Sequence, residues 1–355
     1  MSRLYRLAAA FLLFVLLPLA AHAKPVVAKP IVVKVVVLTT FESGSSAGSG
    51  SGQGSGEFVF WADRLPLKHA LKVPGIEGRV RISDDGVLGV VTGMRARSRE
   101  SVTALILDPE LDLSHAYWIV AGIAGVDPRV GSIGSAAWAR YVVDADPIFE
   151  MDDRDIPKDW PEGLWSLGAK RPGVKGEARG SSDMVWAINP GLVNWAFGLT
   201  RNVTLADNAL LRAVRAKYPS EPAALRPPSV FLGDELGATR FWHGPRRTQW
   251  ARDWVTLWTD GKGVFAMTAC EDQGILDVLG LFGRQGRVDA SRVLVLRTAS
   301  NYSREGDGQD AGLEFAPGGA AAAFEAAYRV GAPVVKALVA GWDRFAAAPP
   351  QAPAP

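Results

Sequence analysis

The chain has 355 residues, 48% hydrophobic and 21% charged, so it can bury a sizeable core in one large domain or two smaller ones. Its 39 basic and 37 acidic side chains leave a net charge of +2 and are scattered without long runs, which excludes the basic footprint of a nucleic-acid binder. Four His and one Cys argue against a Cys/His metal site, and Cys270, lacking an internal disulfide partner, is expected to be a buried thiol.

In chain order, Arg3 and Arg6 precede the apolar run LAAAFLLFVLLPLA, and Ala21-His22-Ala23 follows as a small-x-small cleavage site. That order predicts a secretory signal over 1–23 and a mature chain beginning near Lys24, periplasmic or secreted. No later stretch approaches the roughly 20 apolar residues of a spanning helix, so any part in transport implies a membrane partner. PIVVKVVVLTT (30–40) predicts a strand buried on both faces, followed by a Gly/Ser tract (43–56) that reads as a loop. A strand is expected at 87–94, a helix at 99–107, and strands at 115–124 and around 136–144. From 150 to 200 the text is weakly periodic and reads as loop with short helices. A helix is expected over 204–218 with Thr204 as its N-cap, then a strand and loop over 227–244, and helices over 247–258 and 269–283. A strand over 291–303 and a helix from about Ala320 to Phe345 complete the domain, and 347–355 reads as a disordered tail. The twelve Trp are expected to be mostly core.

Strands alternating with helices indicate an α/β fold with a central mixed sheet flanked by helices, in a single domain over 24–346. Ligands of such sheets bind beyond the strand carboxyl ends. Four ends carry small or polar groups: Thr39 to Glu42, Thr92-Gly93-Met94, Gly122 to Gly125, and Thr298 to Asn301. The glycines at Gly122 and Gly125 predict a tight turn, which is either a plain strand connection or a place where backbone approaches a ligand. FWHG (241–244) offers Phe241, Trp242 and His243 for stacking on a flat ring, with His243 able to donate a proton near neutral pH; a structural His among aromatics is the alternative. No nucleophile elbow, phosphate-binding P-loop or His-Glu-x-x-His zinc motif is present.

VTGM, GIAGVDPRVGSIGSAAWARYVVDAD, GDELGATRFWHG, TACEDQGIL and SRVLVLRTASNYS together resemble the purine nucleoside permease family, whose pattern is in turn similar to the nucleoside phosphorylase/nucleosidase fold. The resemblance runs from about Val32 to Trp342. It implies a ribose or base lying against Ala121, Gly122 and Ile123, and Thr92 and Gly93 at a neighbouring strand end. It implies Glu271, or Asp272 one register on, accepting from ribose hydroxyls, although an acid at a helix start also complements the dipole. Ser300 and Asn301 stand where nucleosidases carry Ser-Asp; Asn301 can bond a purine but has no proton to give as an acid. Glu42 stands where those enzymes place an acid near the attacking water, with a solvated loop Glu as the alternative. The family's TGMGxxNAA run is MRARSRES here, lacking the second Gly and the Asn, so phosphate contacts by Arg95, Arg97 and Arg99 are not assured. The expected function is nucleoside binding for uptake, with purine nucleosides as ligands, no resident cofactor and a possible homo-oligomer. The alternative is a phosphorylase or nucleosidase, with Glu42 and Asn301 catalytic and phosphate as a possible co-substrate.

Overall fold

The β-branched runs and amphipathic stretches assemble, in a computed structural model describing residues 29–43, 55–176, 184–311 and 319–352, around a 12-stranded mixed sheet. The signal-like segment, most of the Gly/Ser tract and the last three residues lie outside the described residues. Six strands position the site: β1 (Val35–Thr39), β2 (Val87–Val91), β3 (Tyr117–Val126), β4 (Asp234–Gly237), β5 (Phe265–Ala269) and β6 (Val293–Tyr302). β1 lies parallel between β2 and β3, and all five of its residues are buried, as its unbroken Val/Leu run requires. β4 and β5 pair in parallel, and β5 meets the end of β3 antiparallel. β6 runs parallel to β3 over nearly its whole length, with a register shift between Ala299 and Asn301.

Three helices matter for the site: α1 (Ala96–Leu107), α2 (Asp272–Arg284) and α3 (Gly319–Ala340). α1 and α2 pack on each other, while α3 covers β6 and β3. Trp61, Trp118, Trp138 and Trp250 are among the largest fully buried side chains, so much of the tryptophan is core. No helix among the described residues is long and apolar enough to cross a membrane.

Several expected elements shift for identifiable reasons. The turn expected at Gly122 is absent: β3 continues through it to Val126, and the chain turns at Asp127, whose carbonyl accepts from the amides of Val130 and Gly131. Asn208, not Thr204, caps the short helix Ala209–Arg215 by accepting from the Leu211 amide at 2.9 Å. Asp207 is instead engaged with Arg215, holding the preceding residues out of the helix. The helix expected from 269 starts at Asp272, because Phe265–Ala269 forms β5. The weakly periodic 150–200 region contains the strands Leu164–Ser166 and Val185–Ala187 and an 11-residue helix, Pro190–Thr200, capped by Asn189. Of the tail, Pro350 is buried and Gln351 lies against Gly191.

Candidate functional site

Carboxyl ends of neighbouring strands converge on one cavity of about 370 Å³, within the ~300–1,000 Å³ usual for small-molecule sites. β1 delivers Thr40 and Phe41, the β2 end Met94, β3 Ile123 to Gly125, β5 Thr268 to Glu271, and β6 Ser300 and Asn301. Arg240, Phe241 and Trp242 enter from the loop after β4, and Glu57 from beyond the Gly/Ser tract. The irregular register of β6 at Ala299/Asn301 falls where Ser300 and Asn301 both reach the lining, the usual effect of a bulge beside a site.

Beneath the cavity floor lies a charged cluster. Arg297 sits in the middle of β6, and the β3–β6 register sets it opposite Gly122. A methyl group on Gly122 would overlap the Arg297 guanidinium and come within 2.6 Å of a Glu57 oxygen. Glycine is required there by an arginine and a glutamate of the chain itself. Arg297 makes a two-pronged ion pair with Asp272, its Nε 2.8 Å from Oδ2, and its Nη2 lies 3.4 Å from Glu271. Glu235 and Glu57 stand 3.9 and 4.0 Å away, so four acids surround one arginine, and all five side chains are buried.

Four carboxylates and one guanidinium would carry a formal charge of −3 in a dry interior, which burial resists by keeping protons on the acids. Burial, with the neighbouring Asp272 carboxyl, holds Glu235 well above the ordinary carboxylate range, and no N–H or hydroxyl of the chain donates to its oxygens. Burial likewise raises Glu271, to about 7, with Arg297 pulling the other way. Glu57 is raised by burial too, opposed by Arg297 and by donors from Thr40 and Ile123. Those donors are close: the Thr40 amide at 2.6 Å, its hydroxyl at 2.8 Å and the Ile123 amide at 2.7 Å. Glu271, by contrast, accepts from the amides of Arg95 and Cys270 at 3.3 Å each and from Arg297 at 3.4 Å. Its oxygens retain capacity for shorter bonds. The Arg95 amide is presented by a left-handed backbone, φ 58°, which costs a non-glycine residue on the order of 1 kcal/mol or more.

The residues expected from sequence distribute unevenly. Ile123, Trp242, Glu271, Ser300 and Asn301 line the cavity. Ala121 and Gly122 are buried in β3 and do not line it, because the space over Gly122 belongs to Arg297 and Glu57. Asp272 is held against Arg297 below the floor. His243 faces Glu305, 3.5 Å away, and is absent from the lining; Phe241, the more exposed neighbour, takes the wall position. Asn301 accepts from the Ser300 hydroxyl and donates to the Tyr302 carbonyl, each at 2.9 Å, so its amide is oriented locally. Thr92, Gly93 and Glu42 line a second chamber of about 870 Å³ that shares Thr40, Phe41, Met94 and Phe241 with the first. There Glu42 is gripped by the Arg79 guanidinium, whose Nε lies 2.7 Å from Oε2. Cys270 is buried in the wall, and burial pushes its thiol up to about 12.

Glu57 and Arg297 were missed by sequence reasoning. Arg297 carried a signal: an arginine inside the apolar strand VLVLRTA cannot stay buried without acids around it. Glu57 had a weaker one, an acid just before the aromatic helix Val59–Arg64. Among the described residues no group of three His, Cys, Asp or Glu could hold a metal ion.

Comparison with known proteins agrees with this architecture. The profile of the family described as purine nucleoside permease (NUP) matches residues 32–350. A probable purine nucleoside permease of Schizosaccharomyces pombe is 28% identical over 260 residues, 70% of this chain and 74% of that protein. A purine nucleoside permease of Candida albicans is 27% identical over 297 residues, 80% of this chain and 73% of its own length. Among solved structures, a 5'-methylthioadenosine/S-adenosylhomocysteine nucleosidase of Helicobacter pylori superposes with a TM-score of 0.50 at 13% identity, covering 86% of this chain and 99% of that one. This last likeness concerns the fold alone.

Proposed function

The chain belongs to the purine nucleoside permease family, and from that premise we propose that it serves nucleoside transport by binding purine nucleosides in the 370 Å³ cavity. The observation that carries this reading is the polarity of the cavity. Its lining combines the aromatic rings of Phe41, Phe241 and Trp242 with the buried acids Glu57 and Glu271. A purine has two π-faces to cover, each base–aromatic stack contributing about 1–3 kcal/mol. A ribose has hydroxyl donors, and the carboxylate of Glu271 has unused acceptor capacity for them. Asn301 and Ser300 lie in the lining, where they can meet a base edge.

A second reading, cleavage of the N-glycosidic bond, is favoured by Glu57. A buried acid of raised pKa at the cavity wall can take a proton from an attacking water or phosphate. Asn301, unable to protonate a departing base, weighs against it. Purified protein incubated with inosine and adenosine, with and without phosphate, separates the two. Tight binding with no free base released supports capture for uptake. Release abolished by Glu57→Gln supports cleavage, and a phosphate requirement would make it phosphorolysis.

We propose further that the chain is exported and cleaved near Lys24, on the order of its n-, h- and c-regions. N-terminal sequencing of the protein recovered outside the cytoplasm tests this. Capture at such a location requires a membrane partner to complete uptake, and homo-oligomerisation is open to sizing by light scattering.

A further inference from the structure

We propose that the cavity binds a proton and a nucleoside in competition, with Glu271 as the group that carries one or the other. This rests on the nucleoside reading above and adds to it a second, chemically distinct ligand of the same site. Five ionisable side chains from separate elements meet here: Arg297 on β6, Glu235 on β4, Glu271 and Asp272 at the start of α2, and Glu57 before the Val59–Arg64 helix. Cys270 lines the cavity too, its thiol protonated at neutral pH, and the further charged residues beside the cavity are Arg95, whose amide reaches Glu271, and Arg240 in the lining. One arginine balances one acid, and Asp272, gripped on both oxygens, is that acid. The other three must share protons or find donors.

Geometry assigns them different roles. Glu57 has three donors at 2.6–2.8 Å and Glu235 has none, so the first is already solvated by the protein and the second keeps its proton. Glu271 is intermediate, with three donors all at 3.3–3.4 Å and a place in the cavity wall. In the empty site it holds a proton part of the time. Ribose hydroxyls donating to it at ordinary distance favour its ionised form and expel that proton. Glu271 is already only 4% exposed, so the ligand removes little further water from it and hydrogen bonding decides the sign.

The test is calorimetric titration of inosine into the full chain, at pH 7 in two buffers of different ionisation enthalpy and then across pH 6 to 8. With Glu271 titrating at about 7 in the free protein, about half a proton should be released per nucleoside at pH 7. Affinity should weaken about ten-fold from pH 8 to pH 6, since protonation competes with binding below that pKa. Glu271→Gln, which cannot titrate, should bind more weakly and with a flat pH profile. Binding with no buffer dependence and no pH slope in the wild-type chain overturns the coupling and leaves the nucleoside reading intact. A slope that persists in Glu271→Gln also overturns it, by putting the proton elsewhere. No binding of inosine or adenosine at any pH overturns the nucleoside reading, and this inference with it.

Discussion

Among the arginines that grip carboxylates with two-pronged geometry, Arg79 and Arg297 do opposite things. Arg79 holds Glu42 one to one, and the arginine is 37% exposed. The two charges cancel, and water reaches the arginine end of the pair. Arg297 meets four acids with 2% of its side chain exposed. There the charges do not cancel, Glu235 shares its surroundings with the Asp272 carboxyl, and Glu271 faces a cavity with only long hydrogen bonds. A balanced pair is finished; an unbalanced buried cluster leaves acceptor capacity for a ligand. Of the acids the sequence placed at the site, Glu42 lies in the wall of the second chamber and Glu271 in the cavity, where Glu57 joins it.

The comparison is broken most severely by removing the buried arginine. Arg297→Met should destabilise the chain by about 3–5 kcal/mol, because it leaves Asp272 and its neighbours buried without a counter-charge. Arg79→Met should cost less, about 1–3 kcal/mol, because Glu42 is 5% exposed but the arginine end of the pair reaches water. Chemical denaturation midpoints of the two variants check the contrast, and equal losses would refute it.

Next in size is Gly122→Ala, expected to cost about 2–4 kcal/mol, since the new methyl overlaps Arg297 and crowds Glu57, and the pinned guanidinium has nowhere to move. Thermal melting measures this, and a near-neutral result would mean that the cluster is loosely held.

The pH dependence of stability sharpens the same point. Glu271 rises from 4.5 to about 7 on folding, so the folded chain binds the extra proton between those values. Stability from this group is therefore greatest at acidic pH and falls as pH rises from about 4.5 through about 7, by on the order of 3 kcal/mol. Glu271→Gln should flatten that decline in urea melts of the ligand-free protein, and Glu42→Gln should leave it in place.

The smallest effect concerns Arg95. The backbone there is left-handed, at the position where the family resemblance calls for a second glycine. Arg95→Gly should stabilise the chain by about 1 kcal/mol, offset in part by the entropy of the unfolded glycine. A differential melt large enough to resolve a degree or two checks it.

The fold was largely legible, because buried parallel strands announce themselves as unbroken β-branched runs such as Val35–Leu38 and Val293–Leu296. Convergence of strand ends on one cavity was legible for the same reason. Of the cavity acids, Glu271 was legible and Glu57 was not. Glu42 follows β1 directly, whereas Glu57 returns to the site across the Gly/Ser tract when Glu42 and Ser43 pair with Gly56 and Ser55. Linear order cannot show that closure. Gly122 was read as a tight turn, plain or against a ligand; it lies inside β3, and the space over it is filled by Glu57 and by Arg297 from a strand 175 residues later, fixed by β3–β6 register. His243 follows the structural alternative, facing Glu305, while its neighbours Phe241 and Trp242 line the cavity.

The most direct test of the account is to titrate inosine at pH 8 into the wild-type chain, Glu42→Gln and Glu271→Gln. The wild type and Glu42→Gln should bind within about two-fold of each other, and Glu271→Gln about 10–100-fold more weakly, the loss of one or two hydrogen bonds to a charged acceptor. Full affinity in Glu271→Gln together with loss in Glu42→Gln would place the ligand in the outer chamber and contradict the account.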